Sequence, residues 1–370
     1  MNSKVVAFAV AALTVLCLVQ VAGVDADDTG AFDITDGTGE TFHFEGAAEH
    51  IVTSGFATTL TVIDAGAIDK IVAVDKYSTY EQTGDERLRD LHAIDLGSFY
   101  GTTNDDYIVI TLVNLVETGQ MSLDDPIILT SYSDNVSLKE KLEGYGFTHV
   151  LMWITIDTYD QLISMVSDVS RIATGSVPAS VIDMQEKYDA VKDGVAGITD
   201  EDRTKALYVW YYSGEYTIGN TGIMTSMLEA CNADDVGHDP SNSESRYGDS
   251  SMIVSILDNN PGTVIFLSHS FFSAGYTLDD FYQQMFGGDR TFTVVPMGQD
   301  WNNWCPESAD GLMSIAQCLY PDIFGEYTGE VGGGSREGDG SIDIVTVGVA
   351  IVIVIVIVAV AAYYFAKRKP

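Results

Sequence analysis

The sequence predicts an α/β protein with two Rossmann-like lobes joined by a long helical connector, followed by a C-terminal transmembrane helix. Strand-like and helix-like segments alternate over 32–158 and again over 204–325. Between them, 159–198 keeps the three-to-four-residue apolar spacing of helices and contains no strand-like run. Alternating strands and helices are typical of parallel sheets covered by helices, so we expect each lobe to have this build.

The composition indicates a folded, strongly acidic protein. The chain has 370 residues, 46% of them hydrophobic, and a formal net charge of −36. A disordered acidic chain would be far less apolar. Because so negative a surface repels polyanions, we expect no nucleic-acid partner.

The N-terminal 26 residues are typical of a secretory signal peptide. Lys4 precedes an apolar run from Val5 to Val19, and small residues then lead into the acidic segment that begins at Asp25. The run shows no amphipathic period, which argues against a buried helix. We therefore expect residues 1–26 to direct the chain out of the cytoplasm.

The C-terminal end predicts a membrane anchor. Residues 342–366 include a long apolar stretch that is free of charge from Ile344 to Phe365, and basic residues follow at Lys367–Lys369. A helix of about 20 apolar residues spans a bilayer, and flanking basic residues stay in the cytoplasm. We expect a single pass through the cell membrane with residues 367–370 as a cytoplasmic tail. The Gly-rich segment 326–341 would then tether an extracellular body to the membrane.

The first lobe begins with a predicted hairpin. Apolar and polar residues alternate from Phe32 to Phe44 around the turn Asp36–Gly37. A strand, a helix and a second strand follow within Ile51–Asp75, which is a βαβ unit and implies a parallel sheet. The predicted elements that complete the lobe are a helix at Tyr107–Glu117, a strand at Ile127–Thr130, a helix at Ser137–Gly144 and a strand at His149–Trp153.

The connector and the second lobe follow the same logic. Pro178 interrupts the helical spacing of 159–198 once. The predicted elements of the second lobe are strands at Lys205–Trp210, Thr263–Leu267 and Phe292–Val295, and helices at Met224–Ala230, Met252–Leu257, Leu278–Phe286 and Ala309–Leu319. In such an architecture, ligands bind between the lobes, at the loops that follow the carboxyl ends of the strands.

The order of several motifs resembles a known family. Asp33–Phe44 resembles the opening hairpin of the periplasmic binding proteins that deliver iron–siderophores, haem or cobalamin to ABC importers. Ile51–Thr58 resembles their first strand and turn, and Ala65–Asp75 their Gly-containing signature. The similarity continues through Ala206–Asn232 and the closing Trp301–Phe324. The resemblance implies two α/β lobes bridged by one long helix, a metal chelate as transported ligand, no intrinsic cofactor, and an importer permease and ATPase as partners.

Three cysteines remain once a signal peptide that contains Cys17 is removed, namely Cys231, Cys305 and Cys318. Outside the cell, one pair can be bridged and one thiol left over. Some members of the resembled family have cysteines at the positions of Cys231 and Cys318. The resemblance therefore implies a Cys231–Cys318 disulfide with Cys305 as the odd thiol.

Aromatic and small polar residues recur in the predicted strand-end loops. A large chelate needs wide, flat apolar surface with a few polar anchors, which Tyr and Trp supply. For any one of these residues, packing at the lobe interface is as good an interpretation, but together they favour a binding cleft. The candidates are Ser54, Gly55, Phe56, Tyr77, Tyr80, Tyr132, Trp153, Tyr211, Tyr212, Tyr216, His269, Trp301 and Trp304.

Two further candidates offer charge or coordination. Arg246, with Tyr247 beside it, could clamp a carboxylate of the ligand, although an ion pair with Glu244 or Asp249 is an equally good interpretation. His269 could ligate the iron or cobalt of the chelate, or simply be hydrogen-bonded at a strand end. The spacing of the histidines gives no free-metal site.

The chain departs from the resembled family at one position that bears on transport. Members that dock on an importer usually place a Glu on each lobe, and Val254 lies near the second of these positions here. In the first lobe, Glu117 could serve. The main hypothesis is thus a membrane-anchored extracellular solute-binding protein at an archaeal cell surface. The alternative is a sensory or cell-envelope structural module of the same fold. We expect no enzymatic activity, because no catalytic motif can be assembled.

Overall fold

The computed structural model describes residues 30–99, 104–130, 135–218, 222–238 and 246–329. The predicted signal peptide, the transmembrane segment 342–366 and the tail 367–370 lie outside these residues, as does most of the predicted tether. Among the residues described, no helix combines the length and the apolar character needed to cross a bilayer. The anchor therefore stays a prediction.

The first lobe is built on a parallel sheet preceded by the predicted hairpin. Strands β1 and β2 pair antiparallel, with Phe32 opposite Phe44, and Asp36 accepts the backbone N–H groups of Thr38 and Glu40 in the turn. The five parallel strands are ordered β5-β4-β3-β6-β7. The strands are β1 (Phe32–Thr35), β2 (Thr41–Phe44), β3 (Ile51–Ser54), β4 (Ile71–Val74), β5 (Ile94–Asp95), β6 (Ile127–Thr130) and β7 (Val150–Trp153).

Helices cover both faces of this sheet, which is why its central strands contain apolar residues without alternation. All four residues of β3, β6 and β7 are buried. Such uninterrupted burial is characteristic of parallel strands between helical layers. The helices of the lobe are α1 (Phe56–Asp64), the short α2 (Tyr80–Thr83), α3 (Asp105–Glu117) and α4 (Val136–Gly144).

The connector consists of two helices rather than the single long helix that the family resemblance implied. Helix α5 spans Tyr159–Thr174 and α6 spans Ala179–Val195. A capping box between Thr158 and Gln161 starts α5, and Gly175 ends it in the left-handed conformation, with φ of 78°. Because Pro178 then sets the start of α6, the helical spacing is broken where the sequence predicted.

The second lobe has a mixed sheet. Its parallel centre, β8-β12-β13, was predicted, and the antiparallel strands β9 and β11 extend it on the far side of β8. Strand β10 pairs with the start of β8. The strands are β8 (Lys205–Tyr212), β9 (Glu215–Ile218), β10 (Asp234–Asp235), β11 (Arg246–Gly248), β12 (Val264–Leu267) and β13 (Thr293–Pro296).

The helices of the second lobe lie close to their predicted positions. Helix α10 has the predicted bounds because Thr277 and Asp280 cap its start and Gly287 ends it. The helices are α7 (Ile223–Ala230), α8 (Ser250–Asp258), the short α9 (His269–Ser273), α10 (Leu278–Phe286), α11 (Ser308–Leu319) and the short α12 (Pro321–Phe324).

One hydrophobic core joins the two lobes through the connector. It contains side chains from both sheets, such as Leu151 and Phe266, together with Val166 and Met184 from α5 and α6. Buried hydrogen bonds add to this joint, since Tyr159 Oη lies 3.1 Å from Ser308 Oγ. The lobes consequently belong to one compact unit.

Candidate functional site at the strand ends of the two lobes

The turn after β3 is shaped by hydrogen bonds between the ends of β3 and β6. Ser54 Oγ accepts the backbone N–H of Thr130 at 2.9 Å, and Thr130 Oγ1 donates to the Ser54 carbonyl. Gly55 has φ of 90°, and a Cβ there would lie 2.9 Å from Thr130 Oγ1. Ser54 and Gly55 therefore hold the ends of β3 and β6 together, where a side chain at position 55 could not fit.

The tyrosines after β4 lie against cationic side chains. Lys76 Nζ is 4.6 Å from the centre of the Tyr77 ring, and the Arg89 guanidinium is 5.2 Å from that of Tyr80. Tyr80 also donates to Glu86 Oε1 at 3.3 Å. Tyr80 lines a cavity of about 450 Å³ together with Leu88, Leu91 and His92. All the residues that line this cavity belong to the first lobe.

Charged side chains from both lobes meet beside this segment. Arg87 donates to Asp85 of its own lobe, and to Asp300 Oδ2 and Glu307 Oε1 of the second lobe at 2.9 Å each. The guanidinium also lies 5.8 Å from the ring of Phe56. The hydrogen bond to Arg87 lowers the pKa of Asp85. The two lobes are thus tied by ion pairs near the start of α1.

The first strand of the second lobe projects beyond its parallel neighbour. Strand β8 pairs with β12 only as far as Val209, and its last three residues pair with β9 as a hairpin. This hairpin stands at the carboxyl end of the sheet, where α/β lobes bind their ligands. Side chains of a strand alternate between faces, so Tyr208, Trp210 and Tyr212 share one face.

The shared face carries a stacked aromatic pair. The rings of Trp210 and Tyr212 are 5.5 Å apart with an interplanar angle of 20°. Tyr212 is 63% exposed, and Trp210 is half-buried. Tyr208 accepts a hydrogen bond of 3.0 Å from Asn302, in the loop after β13. The pair offers a flat apolar surface next to a strand-end loop. Trp210 was not among the sequence candidates, although the alternation of aromatics at 208, 210 and 212 is a signal that could have found it.

Tyr211 and Tyr216 lie within β8 and β9, not in the loop where the sequence interpretation placed them. Both are buried in the outer core of the second lobe, and their rings lie 5.2 Å and 6.2 Å from Phe271. Tyr216 donates to Gln284 Oε1 at 2.6 Å. Their contacts are those of packed core residues, with Tyr212 alone of the three tyrosines exposed.

The tryptophan candidates are mostly packed. Trp153 lies in the joint core, with a ring atom 3.0 Å from where a Cβ on Gly37 would stand. Trp304 is also buried in that core. Trp301 is half-buried and meets Tyr327 edge to face at 5.8 Å. Trp301 and Asn302, which hydrogen-bonds Tyr208, are consecutive in the loop after β13, so Trp301 lies near the same strand-end region as the aromatic pair.

The charged and coordinating candidates are placed as follows. Arg246 begins β11 and donates to the Gly237 carbonyl, while its Nε is buried without a partner among the described residues. Tyr247 is the central residue of β11 and pairs with Thr217 through the backbone. His269 is the first residue of α9 and is half-buried. Tyr132 lies outside the described residues.

No group of three or more His, Cys, Asp or Glu side chains converges as a metal site within the described part of the chain. Ligation of a chelated metal by His269 therefore stays a prediction.

The cysteine pairing stays a prediction. No S–S bond joins Cys231 to Cys318, both of which lie in the described part of the chain. Burial raises the pKa of the Cys231 thiol, and the nearby Cys318 raises it further. Cys305 is buried at the junction of the lobes. Alkylation of the unfolded chain with and without reduction would count the bridged thiols.

Sequence reasoning also missed the junction residues Asp64, Arg87, Asp300 and Glu307. Arg87 and Glu307 are 220 positions apart, and no local pattern links residues at such a separation. The short spacing between Asp85 and Arg87 is a local signal, but it does not indicate which residues of the other lobe they meet.

Comparison with solved structures identifies the fold. The vitamin B12 binding protein BtuF of Vibrio cholerae superposes with a TM-score of 0.54 at 15% identity, covering 75% of this chain and 98% of that one. The haem binding protein HutB of the same organism gives 0.53 at 14% identity, covering 74% and 100%. Helicobacter pylori CeuE in a nickel–histidine complex gives 0.56 at 14% identity, covering 80% and 90%. The chain has the periplasmic-binding-protein fold. The predicted resemblance is thereby confirmed.

Sequence comparison gives a second link. No family model matches the chain. Two proteins of Halobacterium salinarum strains, each named cobalamin-binding protein, are 23% identical to it over 246 residues, which is 65% of this chain. The chain matches 60% of the length of these relatives. BtuF, HutB and the Halobacterium proteins are named as binding proteins and not as enzymes, which agrees with the expected lack of enzymatic activity.

Proposed function

We propose that the chain is a solute-binding protein that holds a large planar metal chelate between its two lobes. The observation that carries this proposal is the stacked pair of half-buried Trp210 and exposed Tyr212, on a hairpin at the carboxyl end of the second sheet. Contact of an aromatic ring with water is unfavourable, and exposed aromatic rings are common where a flat ligand packs on them. Cobalamin is the first ligand to test, because the Halobacterium relatives are named for it. Haem, which is also a flat conjugated macrocycle, and a ferric siderophore follow, because the resembled family carries them too.

The proposed role of the pair is to stack on one face of the ligand. Truncating a Trp at the centre of a binding surface costs about 2–4 kcal/mol of binding free energy. Trp210→Ala should therefore weaken binding by about 30-fold or more, and Tyr212→Ala by less, since one ring remains.

The test is a titration of the full-length chain in a mild detergent with cyanocobalamin, hemin and a ferric siderophore, followed by absorbance and calorimetry. Tyr145→Ala is the matched control, because Tyr145 is 61% exposed but follows α4 at the amino end of β7. The proposal predicts that one ligand binds and that Trp210→Ala weakens it while Tyr145→Ala does not. Binding to none of the three, or equal loss in both variants, would contradict it.

We also propose that the body stands outside the cell, anchored by 342–366, and delivers its ligand to an ABC importer. The delivery step follows from the family resemblance. In a membrane vesicle that contains the cognate importer, the loaded protein should stimulate ATP hydrolysis.

A second candidate function drops transport and keeps ligand binding for sensing or for a structural role in the envelope. It is favoured by one observation: near the position at which importer-docking members usually carry a Glu lies Val254, half-buried on α8. Ligand binding without stimulation of the importer's ATPase would support this candidate over the first.

A further inference from the structure

The junction between the lobes contains more carboxylates than cations. Arg87 contacts Asp85, Asp300 and Glu307, and the carboxyl group of Asp64, the last residue of α1, lies within hydrogen-bonding reach of Glu307. Four acidic groups therefore surround one guanidinium. Such an excess of negative charge in a half-buried place is unfavourable unless a proton neutralises part of it.

The junction is closed on its inner side by apolar packing. Cys305 of the second lobe is fully buried between Leu60 and Leu88 of the first lobe, and Phe56 and Leu91 pack around this group. The thiol is therefore covered by side chains of the other lobe. A reagent reaches Cys305 only when the two lobes separate at this point.

Two oxygens at the junction lack a donor. Asp64 Oδ2 and Glu307 Oε2 are buried without a partner at hydrogen-bond geometry in the described part of the chain, and the Cys305 thiol beside Glu307 is only a weak donor. Arg87 uses its donors on Glu307 Oε1 and on the aspartates, so it does not reach these two atoms. Two facing carboxyl groups form a hydrogen bond only if one of them holds a proton.

We propose that Asp64 and Glu307 share one proton across the junction, and that this proton fastens the two lobes to each other in a pH-dependent way. When the proton is lost, two adjacent carboxylates repel one another in a site with a single cation. The lobes then separate more readily at the junction. The device is a property of the protein without ligand, so it does not depend on the proposed function.

The charges on every packed element agree with this assignment. Burial first, and then the neighbouring Glu307, raise the pKa of Asp64 to about 7 against the opposing effect of Arg87. Burial alone would raise the pKa of Glu307, but the hydrogen bond with Asp64 and the nearby Arg87 lower it overall. Burial also raises the pKa of Cys305, so its thiol stays neutral. Asp300 and Asp85, paired with Arg87, complete the charged groups around the junction.

The sign of the pH effect follows from linkage. In the separated state, Asp64 returns to an ordinary pKa near 4, so the closed junction holds one proton more than the open one between about pH 4 and pH 7. The equilibrium constant for opening should therefore rise about tenfold per pH unit in this range and level off above about pH 7.

The test is pulsed alkylation of the reduced full-length chain in a mild detergent, after removal of the reductant, with peptide mass spectrometry as readout. Cys305 reports opening of the junction, and Cys231, which is equally buried but lies elsewhere, reports the intrinsic pH dependence of thiol reactivity. The ratio of the two alkylation rates should rise about tenfold per pH unit from about pH 5 to pH 7.

Variants distinguish the shared proton from other titrations. Asp64→Asn and Glu307→Gln each place a permanent donor in the pair, so the ratio should become independent of pH in both. Asp168→Asn is the matched control: Asp168, on α5, is a second carboxyl whose pKa burial raises, and this variant should keep the wild-type profile. A flat ratio in the wild type, or an unchanged rise in both pair variants, would overturn the proposal.

Discussion

Replacing Arg87 by Met should destabilise the protein more than any other single loss of a surface-accessible cation in the described part of the chain. The guanidinium forms four hydrogen bonds to three carboxylates, at 2.6–3.0 Å, and two of the carboxylates belong to the other lobe. Met keeps the apolar stem but leaves Asp85, Asp300 and Glu307 without their shared cation.

The magnitude follows from these contacts. A hydrogen bond to a charged group contributes about 1.5–3 kcal/mol, which would give about 6–12 kcal/mol for four. The Arg87 side chain is 29% exposed and the carboxylates are 11–29% exposed. Water can therefore solvate the carboxylates in the variant, which offsets much of the lost hydrogen-bond energy. We expect the free energy of unfolding to fall by about 3 kcal/mol, at the low end of the cost of breaking a buried ion pair.

The assay is thermal unfolding followed by circular dichroism at neutral pH, with Arg89→Met as the matched control. Arg89 pairs only with residues of its own segment and is 57% exposed, so its loss should cost less than about 1 kcal/mol. The Arg87 variant should unfold about 5 °C lower than the wild type. Since Arg87 depresses the pKa of Asp85, the stability it adds is present above about pH 4 and is lost as the pH falls below that value. Equal midpoints for the two variants would refute the reasoning.

Three further outcomes are expected. Gly55→Ala should lower the free energy of unfolding by about 1–3 kcal/mol, because φ is 90° and a Cβ would meet Thr130; Gly46→Ala, where a Cβ meets nothing within 4 Å, should change it little in the same denaturation assay. Asp168→Asn should flatten the dependence of the free energy of unfolding on pH between about pH 4 and pH 6. Burial raises the pKa of Asp168 to about 6, so the protonated carboxyl stabilises the fold at low pH. This stability is lost as the pH rises, by up to about 3 kcal/mol. Deletion of 342–370 should release the protein from sedimented membranes into the medium, and retention in the pellet would contradict the anchor.

The main elements of the fold could be predicted because their signals are local. Leu278–Phe286 has capping residues at both ends, and the strands Ile127–Thr130 and Val264–Leu267 are short apolar runs bounded by turns. Four strands were missed, each two to four residues long: Ile94–Asp95, Glu215–Ile218, Asp234–Asp235 and Arg246–Gly248. Segments that short have no measurable period, and their neighbours in the sheet decide their conformation.

The site was less predictable because the spacing of residues in the sequence does not determine which of them are close in the folded chain. The general position of the candidates at strand ends could be predicted from topology. Which aromatics are exposed could not: Tyr211 and Tyr212 are adjacent in sequence, yet only Tyr212 is exposed, because β8 continues through both. The meeting of Arg87 with Asp300 and Glu307 depends on how the lobes are joined, which only the folded chain determines.

The seating of Cys305 between Leu60 and Leu88 has a consequence for synthesis of the chain. A ribosome completes the N-terminal half first, and that half can form its sheet before the rest exists. The apolar gap that Cys305 fills must then stay exposed to water until about 150 further residues have emerged. A nascent chain with this apolar surface exposed is prone to aggregation. A chaperone that covers apolar surfaces would act during that interval.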